Sequence, residues 1–291
     1  MPLESLLTPF MLETGQVRGR VARLGEVGHS ILTRYDYPPV VRRLLGELLA
    51  VVALLSSNLK QEGIFTVQIR GKGLVPLVVV DGVFGGGLRG YAEVPPESEA
   101  QLRAMRHYAP RDLVGDDSYL AVTLDPGIGM QRYQGIVGLE GNSIAEALQH
   151  YFQHSEQLEV EVRLALNPET AEACGILLER LPATDHDAAE ESWRYARAML
   201  STLTREEMLD PLLDAPAMLY RLFHEEGVRV FPPQPLSTGC RCSRTRILEL
   251  LMSMNETDRA DLIVDGQASV HCHFCNKAEW FGPKELGLPV N

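Results

Sequence analysis

The sequence has no apolar run long enough to cross a membrane, and its first residues do not resemble a secretory signal. The longest apolar run, Leu48 to Leu55, is far shorter than the about 20 residues that a transmembrane helix needs. The opening segment MPLESLLTPF has neither the basic start nor the long apolar centre of a signal peptide. We therefore expect a cytoplasmic protein without a membrane partner.

Positive charge is also scarce. The 291 residues include 27 Lys and Arg against 39 Asp and Glu, which gives a net charge of -12 at pH 7. Such a chain has no general attraction for nucleic acid phosphates or for an anionic membrane surface. Its hydrophobic fraction of 45% is ordinary for a globular protein of about two domains. Proteins and metal ions are therefore the expected partners.

No fixed repeat period is present, and residues 1–181 alternate strand-like and helical segments, which predicts an α+β core domain. A helix is predicted from Pro38 to Lys60, because a proline pair opens a stripe of apolar residues with helical spacing. Five segments have strand composition: FTVQIRG (65–71), LVPLVVVDG (74–82), SYLAVTL (118–124), RYQGIVGL (132–139) and LEVEVRLAL (158–166). We expect these strands to pair into a sheet on which the helix packs.

The segment GGGLRG, Gly85 to Gly90, matches the glycine spacing of a dinucleotide-binding loop. That loop must open a helix whose first turn meets the pyrophosphate, whereas YAEVPP follows here and reads as a strand. The pattern therefore predicts a glycine-rich hairpin turn and no nucleotide site.

Residues 182–235 are predicted to form a helical linker. The stretch 182–236 has ten acidic residues against five Arg and no Lys, with apolar residues at helical spacing. Thr204 and Glu207 have the spacing of a capping box. The segment FPPQP, Phe231 to Pro235, should end regular structure and precede a small domain over residues 236–291.

Cysteine is rare, and four of the five cysteines fall in that last domain. They form the pattern C-x-C, 29 residues, C-x-x-C, with the thiols at Cys240, Cys242, Cys272 and Cys275. Two chelating pairs fit a tetrahedral Zn²⁺ site with four thiolate ligands, since alternate residues of an extended segment face the same side. His271 and His273 are possible substitute ligands, but alternation about Cys272 directs them away. Cys174 lies in an apolar segment and is expected to be a small buried hydrophobic residue.

Metal binding should decide whether this domain folds. A core of 56 residues rarely supplies more than ~3 to 5 kcal/mol, whereas structural zinc can contribute ~10 to 16 kcal/mol. Zinc would also hold the thiols as thiolates, which react with peroxide or hypochlorous acid. Positive charge nearby should favour that attack, and it comes from Arg241, Arg244, Arg246 and Lys277. Four cysteines allow three disulfide connectivities, and their spacing alone does not choose among them.

The motif C-x-C-S-R, a following helix and a late C-x-x-C resemble the signature of the redox-regulated heat-shock chaperonin family of 33 kDa. Segments throughout the chain are similar to that family as well, namely DYPPVVRRLLGELLA, RYQGIVGLEG, YFQHSEQL and LYRLFHEEGVRVF. The resemblance implies a holdase chaperone, not an enzyme, that binds unfolding proteins without ATP and is inactive while reduced and zinc-bound. Oxidation would release zinc, destabilise the linker and produce a homodimer.

The same resemblance implies which residues act. One Zn²⁺ per chain would be held by Cys240, Cys242, Cys272 and Cys275. On activation, Cys240 would pair with Cys242, and Cys272 with Cys275. The chain departs from the family at Thr238 and Glu279, where an aromatic residue is common, so packing around the metal should differ here.

Two other functions fit the cysteine pattern less well. A nucleic-acid-binding zinc module is disfavoured, because residues 236–291 contain six Lys and Arg against seven Asp and Glu. A thiol-disulfide oxidoreductase would need CHFC at a helix start in a βαβ frame, whereas the flanking segments ASV and NKAEWF predict a hairpin.

Overall fold

A computed structural model describes residues 2–56, 59, 63–127 and 130–289. The chain forms two compact units, Met1–Thr238 and Gly239–Asn291. The α+β class expected from the sequence is confirmed. The finer division into 1–181, 182–235 and 236–291 stays a prediction, and the residues of the proposed linker lie within the first unit. Among the described residues, no helix has the length and apolar character needed to span a bilayer.

The first unit contains two six-stranded sheets. Sheet A has the spatial order β10 (Val228–Val230), β1 (Ser5–Leu12), β2 (Val17–Leu24), β9 (Glu172–Arg180) and β8 (Val160–Asn167), with β11 (Gln234–Pro235) also paired to β1. Sheet B has the order β12 (Ser237–Thr238), β5 (Gly87–Ala92), β4 (Leu77–Val83), β3 (Ile64–Arg70), β6 (Tyr119–Asp125) and β7 (Tyr133–Gly138). Each pairing is antiparallel except that of β12 with β5.

The five predicted strands are present, but the expectation that they share a sheet is wrong. β8 belongs to sheet A, where it pairs with β9, whereas the other four lie in sheet B. The glycine-rich segment forms the turn between β4 and β5, as predicted. Gly85 and Gly86 have φ values of 85° and 84°, a left-handed conformation that glycine adopts without steric cost.

The described part of the chain contains ten α-helices, of which the first eight belong to the first unit and the last two to the second. They are α1 (Glu26–Leu32), α2 (Pro39–Ser56), α3 (Glu99–Ala104), α4 (Pro110–Val114), α5 (Ile144–Tyr151), α6 (His186–Ser201), α7 (Arg205–Met208), α8 (Ala215–Phe223), α9 (Arg244–Met252) and α10 (Glu256–Asp261). A 3₁₀ turn (Pro96–Ser98) precedes α3, and a π-helical turn (Phe152–Glu156) follows α5. The second unit also contains a two-stranded hairpin of β13 (Ala268–His271) and β14 (Ala278–Phe281).

The long helix α2 forms the centre of the larger core. It begins at Pro39, as the proline pair predicts, and packs against strands of both sheets. From Leu44 to Ser56 every side chain is buried, so the predicted one-sided stripe understates its burial. A helix that is apolar on all sides belongs in a protein interior, which explains this position between two layers. The predicted continuation to Lys60 lies outside the described residues.

A second core lies on sheet A beneath the helices of the predicted linker. Trp193 and Leu200 of α6 and Leu222 and Phe223 of α8 pack there with Phe10 of β1. The rings of Phe10 and Phe223 stack with centroids 5.9 Å apart. The helical periodicity of residues 182–223 is therefore explained by burial of one face.

Local signals place these helices. The predicted capping box is confirmed, since Thr204 Oγ1 accepts from the Glu207 backbone N–H and the Glu207 carboxylate accepts from the Thr204 N–H. The prediction that regular structure ends at FPPQP is wrong, because Gln234–Pro235 within it forms β11 and β12 begins one residue later, after Leu236. These short strands hold the last residues of the first unit against the edges of both sheets.

Replacing Leu48 with Ala should lower the free energy of unfolding by about 2 to 5 kcal/mol, because Leu48 is fully buried in α2 and a cavity would remain. Urea denaturation followed by far-ultraviolet circular dichroism measures this change. The control is Leu212→Ala, at a side chain that is 84% exposed, where a change within about 0.5 kcal/mol is expected. Equal losses in the two variants would contradict the central position of α2.

Candidate metal centre

The four clustered cysteines lie on two segments of the second unit. Cys240 and Cys242 belong to an irregular segment that ends where α9 begins. Cys272 and Cys275 lie in the turn that joins β13 to β14. The hairpin predicted around CHFC is therefore confirmed, and this pair does not stand at a helix start.

Backbone hydrogen bonds fix the hairpin turn. The Cys272 N–H donates to the Lys277 carbonyl at 3.0 Å, and the Asn276 N–H donates to the Cys272 carbonyl at 2.7 Å. Asn276 has a φ of 55°, a left-handed conformation that asparagine tolerates better than most residues. The turn thus holds two thiols within one short loop.

A helix cap fixes the other segment. Ser243 directly follows Cys242, and its Oγ accepts from the Arg246 backbone N–H at 3.2 Å. This bond satisfies one of the free N–H groups at the start of α9. The position of Cys242 is therefore set by the first turn of a helix.

The four sulfur atoms come together, with all Sγ atoms within 4.8 Å of one another. Cys240 Sγ lies 3.2 Å from Cys242 Sγ and 3.5 Å from Cys272 Sγ, and Cys242 Sγ lies 3.3 Å from Cys275 Sγ. A disulfide would require about 2.05 Å, so the thiols are free. A tetrahedral Zn²⁺ with Zn–S bonds of about 2.3 Å separates its sulfurs by about 3.8 Å. The donor set and its size therefore fit one zinc ion.

The neighbouring histidines are placed differently. Within the described residues, neither His271 nor His273 joins the group of side chains that could hold a metal ion, and both are exposed. Their position agrees with the alternation argument from the sequence. The assignment of all four ligands to cysteine stays a prediction until metal binding is measured.

The thiols influence one another's ionisation. Burial acts to raise the pKa of the Cys240 thiol, but hydrogen bonds from the Cys242 backbone N–H and the neighbouring thiols outweigh it and lower the pKa to about 6. Burial, followed by the hydrogen bond with Cys240, raises the pKa of Cys242. Burial also raises the pKa of Cys272. The cluster therefore favours a thiolate at Cys240, which the other thiols stabilise.

Arg244 connects the two halves of the centre, a role that the sequence did not reveal. From the start of α9 it donates through Nη1 to the Trp280 carbonyl at 2.7 Å and to the Glu279 carboxylate at 3.3 Å. Its Nη2 donates to Glu285 Oε1 at 2.6 Å, and its guanidinium lies 4.4 Å from the centroid of the Phe281 ring. Arg244 thus ties the helix after Cys242 to the strand after Cys275.

These contacts alter two expectations from the sequence. Glu279, where the family often has an aromatic residue, accepts a hydrogen bond from Arg244, so a polar contact occupies this position. Arg244 was expected to add positive charge near the thiols, but the carboxylates of Glu279 and Glu285 offset that charge. Arg246 donates through Nη1 to the Arg241 carbonyl at 3.1 Å. Part of the predicted positive charge therefore serves the packing of this unit.

Cys174 lies apart from the centre, as predicted. It belongs to β9 in the first unit and is completely buried in the second core. Burial raises the pKa of its thiol to about 12. This cysteine is therefore an inert core residue at neutral pH.

Comparison with known proteins gives the family. The model of the Hsp33 protein family matches residues 5–281. A 33 kDa chaperonin of Caulobacter vibrioides is 37% identical over 284 residues, which cover 94% of each chain. A 33 kDa chaperonin of Pseudomonas aeruginosa is 39% identical over 282 residues, covering 95% of this chain and 91% of the relative.

A solved structure supports the fold. The crystal structure of the 33 kDa chaperonin, a heat shock protein 33 homolog, from Thermotoga maritima matches with a TM-score of 0.80. It covers 98% of this chain and 97% of the other at 21% sequence identity, a likeness that concerns the fold alone. The resemblance seen in the cysteine motif and the upstream segments is confirmed by these matches, and the chain belongs to the Hsp33 protein family.

Proposed function

We propose that this protein is a redox-regulated chaperone of the cytoplasm that holds unfolding proteins without ATP and prevents their aggregation under oxidative and heat stress. The reduced form, with one Zn²⁺ per chain, is inactive. Disulfide formation with release of zinc activates it and leads to a homodimer. The observation that carries this proposal is the group of four free thiols within 4.8 Å on two separate segments, in a member of the Hsp33 family.

The composition of the centre favours a switch over catalysis. Cys240, Cys242, Cys272 and Cys275 would fill all four positions of a tetrahedral ion and leave none open for a substrate or a reactive water. When bound, Zn²⁺ would keep the thiols deprotonated and join the segment before α9 to the hairpin turn. We therefore infer a structural centre that responds to oxidants, and no enzyme activity.

The second unit has little else to hold it together. Among the described residues, its core consists of five buried side chains, against which partly buried hydrophobic residues pack; the five are Leu251, Ala268, Phe281, Leu286 and Leu288. A core of this size supplies at most ~3 to 5 kcal/mol, against ~10 to 16 kcal/mol for a structural zinc site. Loss of thiolate coordination should therefore unfold this unit.

Peroxide would supply the oxidising equivalents for the proposed disulfides. A thiolate attacks peroxide, its O–O bond breaks, and the resulting sulfenic acid condenses with a second thiol to a disulfide, so that each peroxide removes two electrons and yields two waters. Two peroxides per chain would convert Cys240 with Cys242 and Cys272 with Cys275. Sulfur distances alone permit cross pairs as well, so the local pairing rests on the family resemblance.

Local pairing would remove the connection between the segments. Disulfides across one and two intervening residues close very short loops and constrain the rest of the unit little. The oxidised cysteines would no longer hold the ion, and Arg244 would lose the geometry that ties α9 to β14. A chemical change at four sulfurs would thus become a change of folding.

Client binding would use apolar surface that is covered in the reduced form. The faces of α6 and α8 that pack on sheet A include Trp193, Leu200, Met218, Leu222 and Phe223. If the linker loosens when the second unit unfolds, these side chains and their partners on sheet A become accessible. A contiguous apolar surface of this kind suits binding of unfolded chains.

Oxidised protein should suppress aggregation of a heat-denatured client, and reduced zinc-bound protein should not. Client aggregation is followed by light scattering, with chaperone taken before and after treatment with peroxide at raised temperature. The zinc content of the chaperone and its molar mass, from static light scattering, are measured on the same samples. We expect zinc to be released as holding activity and the dimer appear. Reduction with added zinc should restore zinc binding, remove holding activity and return the protein to the monomer. If both forms suppressed aggregation equally, the redox switch would be contradicted, although the protein would still be a chaperone.

The double variant Cys272→Ala and Cys275→Ala should fail to retain zinc in the presence of a chelator and should hold clients even when reduced, because two of the four ligands are lost. The control is Cys174→Ala, which removes a thiol that the centre does not use and should keep stoichiometric zinc. Retention of stoichiometric zinc by the double variant would refute the ligand assignment. Mass spectrometry of oxidised peptides tests the disulfide pairing directly.

Arg244→Ala should lower the affinity for zinc by about ten- to a hundredfold, as is typical when residues that orient metal ligands are removed. Competition with a chromophoric chelator measures the affinity. Lys284→Ala removes one positive charge from an exposed position of the same unit and should change it little. If both variants bind zinc like the parent, Arg244 does not position the ligands.

A further inference from the structure

The segment Val228–Thr238, termed here the edge segment, occupies the outer edges of both sheets of the first unit. Its first strand, β10, pairs with Phe10–Leu12 of β1, and β11 pairs with Leu6 and Leu7. Its last strand, β12, pairs with Gly87 and Leu88 of β5. One extended segment thus covers the free edge of β1 and part of the free edge of β5.

Three further backbone hydrogen bonds, outside the paired strands, join the edge segment to the rest of the first unit. The Phe231 N–H donates to the Pro9 carbonyl, the Leu236 N–H to the Ser5 carbonyl and the Ser237 N–H to the Gly86 carbonyl, each at 2.9 Å. Such bonds use groups that every polypeptide carries. The edges therefore accept an extended chain in a way that depends little on its sequence.

The cover is weakly held. Pro232, Pro233 and Pro235 have no N–H to donate, and the three strands contain only two or three residues each. Of the eleven residues of the edge segment, all of which the structure describes, Leu236 alone is buried. Leu236 is thus the one fully buried anchor of the segment, and Val228 and Val230 are only partly buried against the second core.

Leu236 lies beside empty space. With Pro235 it borders a cavity of about 480 Å³, which Leu7, Ala53 and Phe84 also line. Phe84 is 54% exposed, so one wall of the cavity is an accessible aromatic ring. Because Leu236 and Pro235 line this space without filling it, the space can accept apolar side chains of different sizes.

We propose that the edges of β1 and β5, with the cavity at Leu236, form a binding site for extended segments of unfolded polypeptides, and that the edge segment occupies this site as an internal competitor. A client would add as a strand and place one apolar side chain in the cavity. This inference rests on the proposed function and specifies the form in which a client binds.

Chain connectivity explains how the competitor could be released. Thr238 lies two residues before Cys240, and α8 lies shortly before Val228 on the other side. A segment fixed at both ends competes at a high effective concentration, which falls when an end is set free. Oxidation at Cys240 and Cys242 would free the end that follows β12, so the edges would open when clients must be bound.

The test uses the full-length protein and the synthetic peptide VRVFPPQPLST, which reproduces the edge segment. Fluorescence anisotropy measures its binding to the oxidised and the reduced protein. We expect binding to the oxidised form, at least about tenfold weaker binding to the reduced form, and a loss of about tenfold or more when Asp replaces Leu236 in the peptide. The peptide should also displace a reduced, carboxymethylated, permanently unfolded client, and the Asp peptide should not.

Full-length variants give a second measurement. Leu236→Asp should let the reduced protein bind the parent peptide, whereas Leu212→Asp, the same change at an exposed side chain, should not. Circular dichroism and zinc content establish whether each variant is folded. If Leu236→Asp unfolds the protein, the comparison of the parent peptide with the Asp peptide on the parent protein still tests the inference. Equal binding of both peptides, or none to oxidised protein that holds clients, would overturn the inference. Peptide binding without client holding would instead overturn the proposed function and leave the edge site standing.

Discussion

The sharing of one small volume by four sulfur atoms is the constraint on which the second unit depends. With five buried residues in its core, this unit has little apolar burial to set against the entropy of its 53 residues. The other local features serve the same geometry: the left-handed Asn276 closes the hairpin turn, Ser243 starts α9 beside Cys242, and Arg244 joins helix to hairpin. Each brings one pair of thiols toward the other.

The stability of the first unit has a different physical basis. From Leu44 to Ser56 its helix α2 is buried between two sheets, and a second core lies on sheet A, so hydrophobic burial is spread over many residues. Regions of one chain that differ this much in buried apolar contacts unfold at different free energies. A chemical event at the sulfur cluster can therefore act on the smaller unit while the larger core remains folded. This contrast is the physical condition for the proposed switch.

The sequence predicted features that depend on local spacing. The cysteine pairs, the capping box at Thr204 and the glycine turn at Gly85 each lie within a few residues and leave a readable pattern. The partition of strands between two sheets was missed, because β8 pairs with β9, and a short apolar segment such as the one around Cys174 can form either a strand or a helix. The strands β10 to β12 were missed because two or three residues show no periodicity and their partners are more than a hundred residues away. The role of Arg244 depends on a tertiary contact across 36 residues, which no spacing rule reports.

The burial of Cys174 has a consequence for the fidelity of any thiol chemistry in this chain. Four accessible cysteines can form two disulfides in three ways, whereas five would allow fifteen, since any one of them could be the one left over. Its position in the second core, with a pKa raised to about 12, withholds the fifth thiol from exchange. Most wrong pairings are thereby excluded before any oxidant arrives, and a reductant has few states to resolve. Burial of Cys174 in the core of the first unit thus limits the number of wrong disulfides that the cysteines of the second unit can form.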